Sequence, residues 1–405
     1  MEFNKPFYSD GTNFIGGDEN QMLKRSVVIM MVFALMLSLA AGCGGEKDAG
    51  GSIPTVSENG DPGTQQPYVE KDTVKFAYIV MPQAAPQALI NREEKIFESQ
   101  LQKLGKKVEF VSTRSLDKIW PMMDADKDDP DFVYIPSANF ATYITETSRF
   151  GGSNKYTIIA GSINTNTTVL ITRPEIKSLK DLDGKKVGLA NQRYSDEYQF
   201  NEILATVGLA AKTAGGSVEV VYDDIVMEEL ENFGAGEYDA VIIYDPMNFE
   251  SALSKVPGSK IIMTLNPDGM FGEKQPRSWL VAKKDIIKNE PELVKAVLRT
   301  HIMATDKAQD GAARILPEVN REVFLKYFED LNADMTDILK IHTPEFYEKK
   351  WQEAEITYDP NMDFITGVFE FMDKKGVVEG KSLDDFVQIE YLNEILNDMG
   401  REKIQ

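Results

Sequence analysis

The feature that most constrains the fold is a strand, a loop and a helix that follow one another between residues 184 and 209. After the polar turn Asp183-Gly184, the apolar run Val187–Ala190 predicts a short buried strand. Four apolar side chains then recur at the i, i+3, i+4 and i+7 spacing of an amphipathic helix: Phe200, Ile203, Leu204 and Val207. We therefore expect the intervening loop, 191–195, to lie at the carboxyl end of a parallel strand, where open α/β sheets bind ligands.

The ends of this helix carry their own signals. Ser195 is expected to cap the helix through its hydroxyl, and Gly208 can close it in the left-handed conformation. Asp196 and Glu197 suit the positive end of the helix dipole. The same two carboxylates would weaken the positive potential that an anionic ligand needs there.

Strands and helices alternate through most of the chain. In the first part, the strands Val74–Val80, Lys107–Thr113 and Asp131–Ile135 are separated by helical patterns, which predicts a parallel sheet. The second part repeats the alternation, with predicted strands Val218–Tyr222, Ala240–Tyr244 and Lys260–Leu265. Between them, Ile158–Thr172 is rich in threonine and longer than an ordinary strand. We interpret it as a crossing between two lobes; the alternative is a polar surface loop.

The predicted fold class is therefore α/β with two lobes, each a mostly parallel sheet flanked by helices, joined by two crossing strands. The expected division of the chain is as follows. Residues 1–21 are an over-extended start, 22–42 a signal peptide, 43–71 a flexible tether, 72–164 the first part of lobe I, 165–265 lobe II, and 266–405 the return to lobe I with the C-terminal helices.

The N-terminal region predicts export and anchoring. Lys24-Arg25 precede the apolar run Val27–Leu39, which is too short to span a membrane and fits a secretory signal. Cys43 follows Ala-Ala-Gly and is the only cysteine in the chain. This arrangement resembles a bacterial lipobox, which implies a lipid on Cys43 and attachment to the outer face of the cell membrane. The alternative is an ordinary signal with an incidental cysteine.

Composition excludes several classes of function. The net charge of -21 argues against nucleic acid or an anionic membrane surface as the main partner. With two histidines and one cysteine, we expect no metal site and no cofactor, and the acidic run Asp126–Asp131 is interpreted as a solvated turn rather than a calcium loop. The sequence also contains no phosphate-binding glycine motif and no nucleophile elbow, so we expect no enzymatic activity.

Three stretches carry a family resemblance: "IKSLKDLDGKKVGLA" (Ile176–Ala190), "YDAVIIYDPMNFESA" (Tyr238–Ala252) and "WLVAKKDIIKNEPELVKAVLRTHIMAT" (Trp279–Thr305). They resemble type II periplasmic binding proteins of the sulfonate, taurine, nitrate and thiamine-pyrimidine group, the receptors of ABC importers. The resemblance covers roughly Asp72 to the C-terminus. It implies a monomer that closes its two lobes on a small solute and delivers it to an ABC permease and its ATPase.

The layout gives a set of candidate ligand-binding residues. Lobe I supplies Gln83, Ser137 and Asn139; the first crossing supplies Thr167 and Thr168; lobe II supplies Asn191, Arg193, Tyr194, Ser195, Tyr244 and Asp245; and Trp279 is expected to close the pocket. Three of these residues also fit a purely structural role. Asp245-Pro246 could only start a helix, Tyr244 could belong to the core, and Arg193 could pair with Asp196 or Glu197.

The charge of the ligand is left open between two possibilities. Arg193 beside a helix N-terminus favours a small sulfonate-like or nitrate-like anion. Alternatively, aromatic side chains could stack on a heteroaromatic ring or cage a cation: Tyr194, Tyr198, Tyr244 and Trp279.

Two other functions compete with transport. Enzymes of this fold act in pyrimidine or menaquinone precursor synthesis. They are cytosolic, which the lipobox disfavours, and the pyrimidine-forming type resembles an iron user with a cysteine-rich motif that this chain lacks. A lipoprotein that reports its ligand to a membrane sensor also fits the sequence.

Overall fold

Two mixed sheets form the frame of the molecule. The computed structural model describes residues 68–405 except 82–83, 114–115, 126–127, 146–154, 191–192, 224, 245–247, 313 and 331–334. These residues belong to one unit, Pro67–Gln405. Within them, eleven strands divide into a six-stranded and a five-stranded sheet. We call the part of the chain built on the first sheet lobe I and the part built on the second sheet lobe II.

The sheet of lobe I has the strand order β11-β4-β10-β3-β1-β2. Its strands are β1 (Thr73–Ile79), β2 (Lys107–Thr113), β3 (Phe132–Pro136), β4 (Tyr156–Thr165), β10 (Gln275–Lys283) and β11 (Glu355–Ile356). Strand β1 pairs in parallel with β2 and β3, whereas β10 is antiparallel to both β3 and β4, and β11 is antiparallel to β4. Four of these strands therefore share one direction.

The sheet of lobe II has the order β7-β6-β8-β5-β9. Its strands are β5 (Val169–Thr172), β6 (Lys186–Ala190), β7 (Glu219–Asp223), β8 (Ala240–Ile243) and β9 (Lys260–Thr264). Strand β6 is parallel to β7 and β8, and β5 is antiparallel to β8 and β9. The predicted class of two α/β lobes is confirmed, but both sheets are mixed: most of their strands share one direction, whereas β10, β11 and β5 run against their neighbours.

Helices cover the sheets. The helices that precede the first crossing are α1 (Pro86–Glu94), α2 (Ile96–Leu101), α3 (Leu116–Asp124) and α4 (Ser137–Thr145). Those between the two crossings are α5 (Tyr194–Ala205), α6 (Val226–Ala235) and α7 (Phe249–Lys255). Those that follow are α8 (Lys284–Asn289), α9 (Pro291–Gly311), α10 (Ile315–Asp330), α11 (Met335–Ile341), α12 (Pro344–Glu353), α13 (Met362–Lys374), α14 (Leu383–Phe386) and α15 (Glu390–Asp398). No described helix is long and apolar enough to cross a membrane.

The hydrophobic pattern explains the layering. Along β1, Phe76 and Tyr78 join one core cluster, and Ala77 and Ile79 join another, because successive side chains of a strand point to opposite faces. Both faces are covered, so the strand is apolar almost throughout. The second cluster takes side chains from both lobes, among them Val187 of β6, which gives the lobes a shared apolar contact.

The helix predicted after β6 is present with its expected buried face. Phe200, Ile203 and Leu204 are fully buried, and Gly208 adopts the predicted positive φ of 77° just beyond the helix. The predicted cap is wrong. The helix begins at Tyr194 with Arg193 as its N-cap, no side chain caps it, and Ser195 lies one residue inside the helix.

His301 is a core residue of α9. Burial lowers its pKa to about 4, so the ring is neutral near pH 7. Its Nε2 lies 2.8 Å from the carbonyl oxygen of Gly161, which can only accept, so Nε2 carries the proton. Nδ1 then accepts from the hydroxyl of Tyr134 at 3.0 Å.

The acidic run at the start of β3 is not a solvated turn throughout. Asp129 and Asp131 are buried and form ion pairs, whereas Asp128 is exposed. Asp129 lies 2.7 Å from Lys283, and Asp131 lies 3.1 Å from Lys71. The prediction was wrong for these two carboxylates because lysines distant in sequence fold onto them. Nowhere in the described part of the chain do three or more His, Cys, Asp or Glu side chains form a group that could hold a metal ion.

Candidate functional site

Two crossings connect the lobes. The first runs from β4 through 166–168 into β5, and the second runs from β9 to β10. Asn166 ties them together: its Oδ1 accepts from Nδ2 of Asn266 at 2.9 Å and from the backbone N–H of Gln275 at 3.3 Å. Thr167 and Thr168 are buried, so the first crossing is confirmed and a polar surface loop is excluded.

The side chains of the first crossing face the hinge itself. The hydroxyl of Thr167 lies 3.0 Å from that of Thr165, and Thr167 does not line the cleft described below. Thr168 does line it, and its Oγ1 accepts from Nε2 of Gln275 at 3.2 Å. Gln275 is in turn hydrogen-bonded to Gln199 of α5, so the hinge is joined to a wall of the cleft.

Lobe I contributes the start of α4. Strand β3 ends at Pro136, and the helix begins directly with Ser137, whose Oγ donates to the carbonyl oxygen of Pro276 at 2.7 Å. Asn139 lies in the same turn and is almost fully buried. Its Oδ1 accepts no hydrogen bond from any residue that the structure describes. Ser137 lines the cleft, whereas Asn139 lies behind it.

Lobe II contributes the start of α5. Ser195 and Asp196, in the first turn, and Gln199, one turn later, line the cleft. A helix N-terminus presents unpaired N–H groups and the positive end of the dipole, which together favour an anion. The N-cap residue of α5 offers these N–H groups no side-chain acceptor. The starts of α4 and α5 therefore face the same small space.

Arg193 is held inside lobe II. It is 1% exposed, its Nη2 donates to the carbonyl oxygen of Ile242 at 2.7 Å, and its Nε lies 3.0 Å from Oδ2 of Asp196. This short contact is an ion pair without hydrogen-bond alignment, because neither atom counts as hydrogen-bonded. Of the two partners expected for Arg193 from the sequence, Asp196 is the one it meets.

Tyr244 separates two arginines. The guanidinium carbons of Arg193 and Arg277 each lie 4.6 Å from the centre of its ring. Arg277, on β10, also donates from Nη1 to the carbonyl oxygen of Tyr244 at 3.0 Å. The Tyr244 hydroxyl reaches Sδ of Met81 in lobe I at 3.5 Å. Tyr244 thus links the lobes and is more than a core residue.

Among the described residues around the cleft, one cation has no carboxylate partner. Burial raises the pKa of Asp196, while the charges of Arg193 and Arg277 lower it in part. Arg193 pairs with Asp196, and Glu197 pairs with Lys375 at 2.6 Å. For Arg277, no carboxylate lies within ion-pair distance among the residues the structure describes. The carboxylates at the start of α5 were expected to weaken the positive potential, and the structure corrects this because each has its own cation.

The space between the lobes is small. Its lining comes from both lobes and the hinge: Pro136, Ser137, Ala138, Thr168, Ser195, Asp196, Gln199, Tyr244, Gln275, Pro276, Arg277 and Phe364. These side chains enclose about 10 Å³, room for roughly one water molecule. A solute larger than water can enter only if the lobes separate.

A second, larger hollow lies outside the cleft. It measures about 860 Å³ and is lined by β11, the start of α13 and the last four residues of the chain. Its lining carries five acidic side chains and two lysines: Glu273, Glu355, Asp359, Asp363, Glu402, Lys274 and Lys403. Such a surface repels anions. Size alone therefore does not make it the solute site.

Trp279 does not close the cleft. It is fully buried, its indole N–H donates to the carbonyl oxygen of Pro360 at 3.0 Å, and its ring contacts Phe140, Phe364 and Phe386. Because β10 crosses the middle of the sheet, this side chain points into the core between helices. We therefore withdraw Trp279 from the candidate ligand set.

The four aromatic residues predicted for a cage do not converge. Tyr198 packs on Phe271, Phe364 and Phe371 and does not line the cleft. Tyr194 lies under the ammonium of Lys375, at 5.4 Å. Tyr244 already faces two cations, which would repel a third. The geometry therefore gives no support to a cationic ligand.

Three of the predicted ligand residues, Gln83, Asn191 and Asp245, lie outside the described residues, as does Cys43. Sequence reasoning missed Arg277, Gln199 and Gln275. The sequence shows Arg277 as the only charged residue between Gln275 and Ala282, and the structure adds that this run is buried at every position. A charge in such a strand needs a partner or a ligand.

Comparison with known proteins agrees with this architecture. Residues 154–311 match the family model described as NMT1/THI5 like. The chain is similar to a putative sulfonate ABC transporter protein, the periplasmic sulfonate-binding protein SsuA from Methylobacillus flagellatus KT. The identity is 17% and the TM-score 0.55, over 82% of this chain and 95% of that one.

Two further solved structures give the same result. The periplasmic aliphatic sulphonate binding protein SsuA from Escherichia coli is 14% identical, with a TM-score of 0.52 over 79% of this chain and 92% of that one. The alkanesulfonate-binding protein SsuA from Xanthomonas axonopodis pv. citri, bound to MOPS, is 12% identical, with a TM-score of 0.51 over 78% of this chain and 97% of that one. No curated protein matches the chain. The predicted resemblance to this group of binding proteins is confirmed.

Proposed function

We propose that this protein is a membrane-anchored, extracytoplasmic solute-binding lipoprotein of an ABC importer, and that it captures a small solute through a singly charged oxyanion group. The observation that carries the proposal is Arg277, a buried guanidinium without a carboxylate partner among the described residues. It lies on the crossing strand β10, in the cleft that the starts of α4 and α5 also face. Arginine and helix N-termini are both suited to sulfonate and nitrate groups.

The balance of charges favours one negative charge on the bound group. Arg193 is neutralised by Asp196, and Glu197 is neutralised by Lys375, which leaves Arg277 as the one excess charge among the described residues of the cleft. A single sulfonate or nitrate group, as in an alkanesulfonate, taurine or nitrate itself, balances it. A dianion such as sulfate would bring a second, uncompensated charge into a buried site, which is costly.

Capture would proceed by closure of the lobes. The described side chains leave about 10 Å³, so the solute enters an open form and the lobes then close on it around the two crossings. Closure removes the anion and Arg277 from water, which strengthens their attraction. A permease that recognises only the closed form would then receive loaded protein. The similar structures of sulfonate-binding proteins support this assignment of the solute class.

Anchoring rests on the sequence around Cys43. Mass spectrometry of the mature chain from bacterial membranes is expected to show cleavage before Cys43 and a diacylglycerol on its thiol. The Cys43→Ser variant should carry no diacylglycerol and should not be cleaved before residue 43. If the chain with Cys43 in place is recovered in the soluble fraction and carries no lipid, the proposed membrane anchor is wrong.

A thermal-shift screen of the mature chain carrying Cys43→Ser tests the solute class. The compounds are taurine, alkanesulfonates including MOPS, nitrate, sulfate, a thiamine-type pyrimidine and a quaternary amine, in a buffer free of sulfonates. A ligand at a hundred times its Kd adds about 2.7 kcal/mol of stability, a shift of several degrees in Tm. We expect stabilisation by one or more of the singly charged oxyanions and little by sulfate.

The remaining outcomes are equally informative. Stabilisation only by ring compounds or cations would overturn the anion site in favour of the heteroaromatic or cationic alternative. Uptake of the identified solute in cells that lack this protein separates transport from sensing. Unchanged uptake would point to a sensor.

A further inference from the structure

The first turn of α5 is joined to a helix from the far end of the chain. Lys375 directly follows α13, and its Nζ lies 2.7 Å and 2.6 Å from the two carboxylate oxygens of Glu197, 178 residues away in sequence. The Glu197 side chain is fully buried, and that of Lys375 is 19% exposed. The hydroxyl of Tyr222 also donates to Glu197 and lies 3.1 Å from Nζ.

Lys375 is held by more than this ion pair. Its ammonium lies 5.3 to 5.6 Å from the centres of three aromatic rings, Tyr194, Tyr222 and Phe371. Tyr194 is the first residue of α5 and directly precedes two residues that line the cleft, Ser195 and Asp196. The lysine therefore contacts the turn of the helix that forms the cleft wall, but it does not line the cleft itself.

Helix α13 also reaches the hinge. Phe364 lies at its start, lines the cleft and contacts Trp279 of β10. Gly367, one turn later, leaves the space that the Tyr198 hydroxyl occupies, since a Cβ at this position would overlap that oxygen. Helix α13 thus packs along α5 between the hinge strand at one end and Glu197 at the other.

The electrostatic consequence concerns the anion site. Glu197 is one residue beyond Asp196, which lines the cleft, and its charge would oppose an incoming anion if no cation balanced it. In a buried setting this opposition is barely screened by salt. Only Lys375 forms an ion pair with Glu197 within the described part of the chain.

We propose that Lys375 is a positioning residue for the solute site: by neutralising Glu197 and holding the first turn of α5, it keeps the helix N-terminus able to accept an anion. This inference rests on the proposed function. On this inference, helix α13 helps to position the solute site at the start of α5, although α13 follows the return of the chain to lobe I.

The test is a set of four variants measured by calorimetry with the best oxyanion from the screen. Lys375→Met should weaken binding roughly tenfold, because the unpaired charge of Glu197 then repels the anion through a buried region where salt screens it little. Lys375→Arg should stay within about threefold of the unmodified protein because it retains the charge. Lys374→Met removes the same charge from an exposed neighbouring position and should leave affinity unchanged.

The fourth variant separates an electrostatic role from a merely structural one. In Lys375→Met combined with Glu197→Gln, no unpaired charge remains, so affinity should return to within about threefold of the unmodified protein. If the double variant binds as weakly as Lys375→Met alone, the inference is overturned while the proposed function stands. If the unmodified protein binds no anion, the proposed function fails and the inference fails with it.

Discussion

Replacement of Glu229 by glutamine should stabilise the protein by roughly 4 kcal/mol at pH 9 and should have little effect at pH 5. Glu229 lies in α6, is fully buried, and has no well-aligned hydrogen bond at either carboxylate oxygen. The pKa of Glu229 is raised to about 8, mainly by burial and further by the charge of Asp223. The charge of Arg193 and two nearby backbone N–H groups oppose this rise in part. The folded protein therefore holds a proton on Glu229 at neutral pH.

The direction of the pH effect follows from the protonation of Glu229 in the folded and unfolded states. The ordinary pKa of this carboxyl is 4.5, so between pH 4.5 and pH 8 the unfolded chain has lost a proton that the folded chain keeps. The folded state binds more protons in this window, so stability falls as pH rises. Each pH unit costs about 1.4 kcal/mol, which gives about 4 to 5 kcal/mol at most. Glutamine carries no charge in either state and removes this loss.

Urea unfolding of Glu229→Gln and the unmodified protein at pH 5, 7 and 9 measures the effect. The control is Glu231→Gln, an exposed carboxylate on the same helix, which should change stability by no more than about 0.5 kcal/mol. Equal effects of Glu229→Gln at pH 5 and pH 9 would show that Glu229 is not held protonated. The pH profile of the unsubstituted protein alone does not isolate Glu229, because His301 acts in the opposite direction. The lowered pKa of His301 makes stability rise with pH between about 4 and 6.5.

Replacement of Arg277 by glutamine should weaken binding of the oxyanion at least a hundredfold, about 3 kcal/mol or more. The guanidinium is buried in the cleft, and it is the charge that no described carboxylate neutralises. Glutamine can still donate one hydrogen bond but brings no charge. The Arg277→Lys variant should show an intermediate loss, because lysine keeps the charge but not the forked pair of donors.

Calorimetry with the best oxyanion, at fixed salt, measures this loss. Arg299→Gln is the matched control: it removes the same charge from a half-exposed position on α9, where Arg299 pairs with Asp398 at 3.2 Å. It should leave affinity within about twofold. Thermal unfolding of Arg277→Gln checks that the fold persists without the bond to Tyr244. A folded Arg277→Gln variant with unchanged affinity would remove Arg277 from the solute site.

Local patterns in the sequence were sufficient to predict the strand β6, the helix α5 and the first crossing between the lobes. The apolar run at β6 and the helical spacing of Phe200, Ile203 and Leu204 depend on neighbours within a few residues, and the structure confirms both. The length and threonine content of 158–172 identified the connection between the lobes for the same reason. These features follow from backbone geometry and side-chain periodicity, which the chain carries locally.

The site was only partly predictable. Ser137, Thr168, Ser195 and Tyr244 were assigned to the cleft wall because each comes from the end of a predicted element or from the crossing, and all four line it. Trp279 was misassigned, because which face of β10 meets the core depends on the pairing of β10 with β3 and β4. Arg277 lies on the same strand, and the same pairing places it in the cleft.

The sequence by itself determined the two-lobed α/β frame, the crossing between its halves and the position of the cleft at the strand ends, since these follow from patterns a few residues long. The sign of the potential in that cleft was decided only by tertiary structure. Asp196 and Glu197 appear in the sequence as two charges hostile to an anion. Folding places Arg193 against the first and Lys375 against the second, and leaves Arg277 without a described carboxylate partner. An electrostatic potential sums over neighbours in space, and the Lys375 that decides it here lies 178 residues away from Glu197.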